Sequence, residues 1–447
     1  MKVKFQYHNN GNSSVKQVHL AGSFNNWDKK SHPMKYNKKK SQWELSLDLP
    51  QGNYGYKFLL NGEDWIHDPE GERFIQNDVG TLDSIKSVKM PRKEHGKFSP
   101  VHPCLDDVIT IYSTKKAALL WRINGWNSFP QNFQYKSPME KDGKLYKATV
   151  GPFDKNLIPD VITYGFRFEN GRFDNNEEKG YWIPVDLRLK GQTYDLTLKS
   201  KALKREAPFR IYLPAGYFET DRRYPLMLLL HGYGGTCKSD WTQQNIIKKM
   251  ADLYGIVLLW PDGNLLLDGR MVPAWYINSP RHKDMQMEDY IIGELIPYVE
   301  AHYRVRNDRK SRGIAGISMG GFGSFYLATK YNDYFSVACS MSAIYNIHMF
   351  KTTGDIKNLV GRGNWKGRNF NVNKLIKKSK ETDYYFIIGT EEGGAIEENI
   401  KLKLIMDREK INHYFQIYPG NHTNNFWRMH IQEMMEYAVA RLVKDRQ

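Results

Sequence analysis

The pattern of apolar and polar positions divides the chain into three segments. Residues 1–90 carry short alternating runs such as VKFQYH and QWELSLDL, separated by turn clusters such as NNGNS and LPQGN. Residues 105–200 repeat this signature with VITIYS, KLYKATV and TYDLTL. Alternation with a period of two is typical of strands that bury one face. We therefore predict two immunoglobulin-like β-sandwiches, joined by a basic, proline-containing linker over residues 91–104.

The third segment, residues 201–447, has a different pattern. PLMLLLHG and GIVLLWPDG are continuous apolar runs of strand length, which are typical of strands buried on both faces of a sheet. Helix-like stretches such as EDYIIGELIPYVEAHYR and WRMHIQEMMEYAVARLVKD alternate with the strands. This alternation predicts an α/β domain with a mainly parallel sheet.

Within this segment, GISMGG places Gly316, Ser318 and Gly320 in a G-x-S-x-G motif. A strand-like stretch precedes the motif and a helix-like stretch follows it, which is the context that a nucleophile elbow requires. The alternative is an ordinary serine in a glycine-rich bend. The flanking elements favour Ser318 as a nucleophile.

A serine hydroxyl needs a base to remove its proton, and that base is commonly oriented by an acid. The apolar run YFIIG is followed by Glu391 and Glu392, and the later strand FQIYP is followed by His422. Open α/β sheets place their sites at the carboxyl ends of strands, and the chain order serine, acid, histidine is that of α/β-hydrolases. We predict that His422 is the base and that one of the two glutamates is the acid.

An oxyanion hole needs two backbone N–H groups aimed at the developing negative charge. The residue after the nucleophile, Met319, is expected to supply one. The glycine-rich sequence HGYGG after an earlier apolar strand is expected to supply the other, from the amide of Tyr233.

Several motifs in chain order resemble the esterase branch of the α/β-hydrolases, which includes carbohydrate esterase family 1 (feruloyl and acetyl-xylan esterases) and S-formylglutathione hydrolase. They are RIYLPAGY, PLMLLLHGYGG, WPDGN, GISMGGFGSF and YPGNH. The resemblance implies an α/β-hydrolase fold. The family's acid is usually an aspartate in fourth place of a G-x-x-D turn. GTEE puts Glu392 in that place, with Glu391 as the fallback.

The first segment resembles the glycogen-binding module of the β subunit of AMP-activated kinase and of branching enzymes. VHLAGSFNNW, LDLPQGNYGYKFLLNG, WIHDPE and GTLDSIKSV carry the resemblance. It implies that Trp27, Lys57, Trp65 and Thr81 contact α-glucan, whereas Asp83 stands where the kinase module has asparagine. The alternative is a structural spacer.

The middle segment resembles starch-binding sandwiches of bacterial amylolytic enzymes through LLWRINGW, VGPF and FENGRFDNN. The resemblance implies that Trp121, Trp126 and Asn175 contact sugar. The alternative is a packing domain whose tryptophans belong to its core.

Composition adds three constraints. The net charge of +16 comes from 65 Lys+Arg against 49 Asp+Glu, and because the lysines are scattered we expect a solvated basic surface without nucleic-acid binding. The 3 cysteines show no C-x-x-C spacing, which argues against structural zinc and a disulfide framework. An N-terminus without an apolar stretch predicts no signal peptide, and no run in the sequence approaches the ~18 apolar residues of a membrane span. We therefore expect a cytoplasmic protein, or a secreted one if a leader was removed.

Together these features predict a serine esterase that acts on acyl groups of a carbohydrate and needs no metal or cofactor. Its sandwiches would hold a polysaccharide, either an α-glucan such as glycogen or starch, or an acylated plant polysaccharide. Two alternatives remain. One is a hydrolase of small esters or thioesters, including siderophore esters. The other is a glycan-binding scaffold with an idle hydrolase domain.

Overall fold

The computed structural model forms two compact units, Met1–Arg188 and Leu189–Gln447. It describes the following residues: 2–8, 15–49, 53–71, 74–77, 81–87, 95–100, 103–123, 135–153, 159, 161–176, 181–187, 190–239, 241, 245–267, 269–350, 354–361 and 370–442. Within these ranges, no helix is both long and apolar enough to cross a membrane.

The first half of the N-terminal unit consists of two antiparallel sheets. Its strands are β1 (Lys2–His8), β2 (Val18–Gly22), β3 (Lys35–Asn37), β4 (Gln42–Asp48), β5 (Asn53–Leu60), β6 (Asp64–Ile66), β7 (Phe74–Gln76) and β8 (Leu82–Ser87). One sheet has the order β1-β4-β3 and the other β2-β5-β8-β7, with β6 on β5. Alternate residues of β1 point inward, so Val3, Phe5 and Tyr7 share one core with Leu20 and Phe58 of the other sheet.

The second half of this unit is also antiparallel. Its strands are β9 (Phe98–Ser99), β10 (Ile109–Ser113), β11 (Ala117–Ile123), β12 (Tyr135–Pro138), β13 (Glu140–Asp142), β14 (Leu145–Val150), β15 (Val161–Phe168), β16 (Phe173–Asp174) and β17 (Tyr181–Pro184). They form the sheets β13-β14-β10-β9 and β12-β11-β15-β16, with β17 on β15. The predicted β-rich character of residues 1–184 is therefore confirmed, while the immunoglobulin-like assignment stays a prediction.

The C-terminal unit is built on an eight-stranded sheet within the described residues. Its strands are β18 (Gln192–Ser200), β19 (Arg205–Leu213), β20 (Leu226–Leu230), β21 (Val257–Pro261), β24 (Arg312–Ile317), β25 (Val337–Met341), β26 (Asp383–Gly389) and β27 (His413–Tyr418), and a separate hairpin is formed by β22 (Asn264–Leu267) and β23 (Arg270–Pro273). The sheet order is β18-β19-β21-β20-β24-β25-β26-β27. The pairings along β21-β20-β24-β25-β26-β27 are all parallel. The pairings of β19 with β18 and with β21 are antiparallel.

Helices alternate with these strands as the sequence predicts. They are α1 (Asn245–Tyr254), α2 (Ile296–His302), α3 (Met319–Lys330), α4 (Gly354–Val360), α5 (Val372–Leu375), α6 (Ala395–Glu409) and α7 (Asn424–Leu442), and a π-helical turn over Asp289–Leu295 precedes α2. Every residue of β20, β21 and β24 is buried, as expected for strands covered on both faces. The carboxyl ends of β20, β24, β25, β26 and β27 lie at one edge of the sheet because these strands are parallel.

Two predicted assignments are corrected by the strand pairings. The run TYDLTL, predicted as part of the second sandwich, belongs to β18 and pairs along its whole length with β19 of the C-terminal sheet. Alternation in a strand shows that one face is buried but does not identify the sheet that it joins. In the predicted linker 91–104, Phe98 is buried and lies in β9, which pairs with β10.

The turn that joins β18 to β19 depends on Glu294. Its carboxylate accepts hydrogen bonds from Ser200 Oγ at 2.6 Å, from Lys201 N at 3.1 Å and from Ala202 N at 3.0 Å. We predict that Glu294→Ala lowers the free energy of unfolding by about 2 kcal/mol, because three donors lose a charged acceptor. Urea unfolding measures this change. Glu206→Ala, at an exposed position of β19, is the control, and an equal effect of both substitutions would contradict the prediction.

Candidate functional site

The turn at Ser318 joins β24 to α3 by a tight backbone path. Ser318 has φ 56° and ψ −116°, a positive-φ backbone conformation that residues other than glycine rarely adopt. A Cβ on Gly316 would lie 1.9 Å from Gly320 O, and a Cβ on Gly320 would lie 2.2 Å from Leu230 O. The motif glycines are therefore required by backbone contact, and the strained serine points out of the sheet edge at the start of a helix.

The structure brings Ser318, His422 and Glu392 together. His422 Nε2 lies 2.9 Å from Ser318 Oγ, and His422 Nδ1 lies 2.8 Å from Glu392 Oε2. Since a carboxylate only accepts hydrogen bonds, Nδ1 carries the proton and donates a hydrogen bond to Glu392. Nε2 is then free to accept the hydroxyl hydrogen of Ser318. This is the tautomer that a general base for Ser318 needs.

Burial differs along this row of side chains. The His422 side chain is 49% exposed, whereas that of Glu392 is 2% exposed. Glu392 Oε1 accepts hydrogen bonds from Ser342 Oγ at 2.6 Å and from Gly389 N at 2.9 Å. Each oxygen of the buried carboxylate is therefore hydrogen-bonded, while the histidine stays open to an incoming molecule. The fallback residue Glu391 is exposed, and Glu392 is the glutamate that contacts His422.

Met319 and Tyr233 lie on the two segments that flank Ser318. Met319 is the first residue of α3, and Tyr233 lies in the loop that follows β20, the strand paired in parallel with β24. The Tyr233 side chain is 60% exposed, and its hydroxyl donates to Asp355 Oδ2 at 2.5 Å, which raises the pKa of Tyr233. The loop holding Tyr233 is therefore tied to α4. The oxyanion role of both amides stays a prediction.

His231, in the same loop, has a structural role. It is buried, its Nε2 accepts a hydrogen bond from Gly263 N at 2.8 Å, and its Nδ1 lies 2.8 Å from Gly232 O. Because Nε2 accepts and a carbonyl cannot donate, the proton lies on Nδ1. His231 is therefore a neutral bridge between two loops.

Sequence reasoning missed Ser342 and Trp427. Ser342 directly follows β25, at the same sheet edge as the three central residues, and Trp427 lies in the first turn of α7, five residues after His422. Trp427 Nε1 donates to Ser342 Oγ at 2.8 Å, and its ring meets the His422 ring edge-on with centroids 5.1 Å apart. The position of Ser342 after a parallel strand is a signal that could have identified it.

A second group of predicted residues lies together in the N-terminal unit. The Trp27 and Trp65 rings are half-buried, with centroids 6.3 Å apart and planes tilted by 56°. Lys57 Nζ donates to Thr81 Oγ1 at 2.5 Å and lies 3.2 Å from Asp83 Oδ1. The structure thus contains an aromatic pair and a separate polar cluster, each formed from the predicted residues.

Asn77 completes the polar cluster and was not predicted. Its Nδ2 donates to Thr81 Oγ1 at 2.9 Å and to Asp83 Oδ1 at 2.8 Å, and its Oδ1 accepts from Thr81 N at 3.0 Å. Asp83 therefore faces the Lys57 ammonium group and an amide donor. An aspartate at the position where the kinase module has asparagine is compatible with these two donors.

The structure corrects the prediction for Trp121. This residue is 9% exposed, its ring stacks on Tyr135 with centroids 4.2 Å apart, and its Nε1 donates to Ser137 Oγ at 3.1 Å. Its ring faces are used by the protein core, so it offers little surface to a sugar. Asn175 is half-buried after β16, and Trp126 lies outside the described residues.

Comparison with known proteins separates the same two regions. Residues 200–438 match the family model described as "Putative esterase". Residues 1–94 match the model described as the glycogen recognition site of AMP-activated protein kinase. The resemblances of the first and third segments are thereby confirmed, whereas the starch-binding resemblance of the middle segment stays a prediction.

Individual proteins that resemble this chain have modest sequence identity to it. An esterase of Mycobacterium tuberculosis is 33% identical over 139 residues, which are 30% of this chain and 28% of the mycobacterial protein. An acetyl esterase of Caldicellulosiruptor saccharolyticus is 24% identical over 263 residues, covering 53% of this chain and 94% of that enzyme. The crystal structure of an S-formylglutathione hydrolase from Agrobacterium tumefaciens has a TM-score of 0.50 at 18% identity and covers 57% of this chain and 98% of its own. That likeness shows a hydrolase fold in the C-terminal part.

The backbone contact at Gly320 gives a prediction for the turn. We expect Gly320→Ala to lower the free energy of unfolding by about 1–3 kcal/mol, because its methyl group would overlap Leu230 O and displace one of the two segments. Ester hydrolysis should fall with it, since the same contact holds the loop of Tyr233 beside Ser318. Thermal unfolding and initial rates measure both effects.

Gly293→Ala is the matched control, since an added Cβ there meets nothing within 4 Å. A Gly320→Ala protein with the stability and rate of the unaltered protein would show that the turn tolerates a side chain.

Proposed function

Because the chain belongs to the esterase family whose model matches residues 200–438, we propose that it is a serine hydrolase of carboxylic esters. The observation that carries the proposal is the row of hydrogen bonds from Ser318 through His422 to Glu392, with distances of 2.9 and 2.8 Å. A strained serine next to a correctly protonated histidine is suited to nucleophilic attack.

The reaction begins when Ser318 Oγ attacks the ester carbonyl carbon while His422 Nε2 takes the hydroxyl proton. Glu392 stabilises the imidazolium that forms, and the backbone amides of Met319 and Tyr233 donate to the oxyanion of the tetrahedral intermediate. The intermediate collapses by breaking the bond to the alcohol oxygen, which receives the proton from His422. An acyl group then remains on Ser318.

The second half repeats these roles with water. His422 takes a proton from a water molecule whose oxygen attacks the acyl carbon, and then returns the proton to Ser318 Oγ as the carboxylic acid leaves. Each of these steps uses side chains and amides of the C-terminal unit.

For the substrate, we propose an acyl ester carried on or near a polysaccharide, with an acetyl or feruloyl group as the acyl part. The support comes from the N-terminal unit. The half-buried Trp27 and Trp65 rings present apolar faces of the kind that cover a glucose ring. The half-buried Thr81 and Asn77 offer hydrogen-bonding groups for hydroxyls, whereas Lys57 and Asp83 are buried and paired with each other. The match to a glycogen recognition model favours an α-glucan as the bound polymer.

Ser318→Ala tests the esterase mechanism. We expect hydrolysis of p-nitrophenyl acetate to fall at least roughly 1,000-fold, because the nucleophile is lost while the rest of the site stays in place. Ser336→Ala is the control, since Ser336 directly precedes β25 at the opposite edge of the sheet. Acetylated polysaccharides and methyl ferulate in the same assay identify the acyl group. Hydrolysis that survives in Ser318→Ala would refute the mechanism.

Trp65→Ala tests the polysaccharide site independently. We expect affinity for glycogen in native gels to fall about tenfold or more, equivalent to about 1.4 kcal/mol, because half of the aromatic pair is removed. Tyr36→Ala is the control. It removes an aromatic ring that is 43% exposed on β3, in the other sheet of the first half of the N-terminal unit, and it should leave glycogen binding unchanged. Equal glycogen affinity in Trp65→Ala and the unaltered protein would remove the support for a glucan.

A further inference from the structure

The carboxylate of Glu392 has to be held more firmly than an aspartate would be. Glutamate has one more rotatable bond, so the backbone of the turn alone does not fix its two oxygens. In this structure Oε2 accepts a hydrogen bond from His422 Nδ1, while Oε1 accepts from Ser342 Oγ at 2.6 Å and from Gly389 N at 2.9 Å. Ser342 is therefore the side chain that orients the acid through the carboxylate oxygen that does not face His422.

The hydrogen bond from Ser342 has a fixed direction. The indole N–H of Trp427 can only donate, and it lies 2.8 Å from Ser342 Oγ. That oxygen therefore accepts from Trp427, and its own hydrogen is directed to Glu392. A serine hydroxyl rotates freely in isolation, but here a donor on one side and a carboxylate on the other fix its orientation.

The backbone at Ser342 is also unusual. This residue is buried with φ 55°, a left-handed conformation, and its amide donates to Ile387 O at 2.9 Å. Glycine would be the least strained residue at such a φ, so the presence of serine calls for a compensating contribution from the side chain. The hydroxyl between Trp427 and Glu392 supplies one.

Trp427 contacts both the base His422 and the serine that supports the acid. Besides donating to Ser342, its ring packs edge-on against the His422 ring, with an interplanar angle of 86°. One residue of α7 thus limits the rotation of the imidazole and orients the hydroxyl that supports the acid.

We propose that Ser342 and Trp427 are positioning residues of the esterase reaction, forming the series Trp427–Ser342–Glu392–His422 that holds the imidazole in line with Ser318. This inference rests on the proposed function. It assigns the longer acid side chain a dedicated support, and both residues act through Glu392 and His422.

The main test is Ser342→Gly, which removes the hydroxyl while suiting the left-handed backbone. We expect kcat for p-nitrophenyl acetate to fall about tenfold or more, because the acid and imidazole lose alignment. KM should change less than kcat, since substrate contacts remain. Thermal unfolding should show a folded protein of at least similar stability, and unchanged kcat in that protein would overturn the proposal.

Coupling between the two residues separates positioning from packing. Trp427→Phe keeps a ring near His422 but lacks the N–H donor, so it should lower kcat in the unaltered protein and have little further effect in Ser342→Gly. Two independent, multiplying effects would assign Trp427 a packing role only. Trp260→Phe is the control for loss of a buried indole, since its N–H has no partner among the described residues.

Glu392→Asp provides a further test of the acid itself. Its carboxylate would be about 1.5 Å nearer the backbone, so it could not keep both Ser342 and His422 in place. We expect kcat to fall by a factor similar to that of Ser342→Gly, and full activity would contradict the proposed support. Ser318→Ala, assayed in parallel, separates the proposed function from this inference. Activity that survives in Ser318→Ala refutes the proposed function. Loss of activity in Ser318→Ala together with a normal kcat in Ser342→Gly refutes only the positioning role.

Discussion

Backbone contact without intervening side chains is the constraint on which the active site depends. The first turn of α3 lies directly against the end of β20, so Gly320 has no room for a side chain beside Leu230 O. This contact keeps the serine turn and the loop of Tyr233 together, and it holds Ser318 in a backbone conformation that would otherwise relax. The strain is sustained because β20 and β24 are buried throughout and paired in parallel.

The same sheet geometry explains why much of the site could be predicted from sequence. Apolar runs such as LMLLL and VLLWP identify buried strands, and parallel strands bring their carboxyl ends to one edge. Ser318, His422 and a glutamate could therefore be predicted to meet, although 104 positions separate the serine from the histidine. Glu392 could be preferred to Glu391 only through the resemblance, since it stands fourth in GTEE, and the structure adds the physical reason that the turn puts its carboxylate against Gly389 N.

Other features could not be predicted because their patterns fit more than one environment. The alternation in β18 identifies a half-buried strand but not the sheet it joins. A tryptophan in a strand looks the same whether it stacks on a sugar or, as Trp121 does, on Tyr135. The place of Ser342 after a parallel strand indicates a residue at the site edge, but its role depends on two partners that lie 50 and 85 residues away in sequence and could not be identified.

The proposed division of roles between the two units places a limit on what polysaccharide binding can contribute. A bound polymer raises the concentration of its esters near the protein, and this increases the rate of encounter without changing the chemical step. The alignment of Ser318, His422 and Glu392 is complete within the C-terminal unit and would serve a free ester equally well. In the proposed function, surfaces of the C-terminal unit near Ser318 would select the acyl group, and the aromatic pair in the N-terminal unit would select the polymer. Acyl specificity and polymer specificity are then separable properties, and similarity in one region does not determine the other.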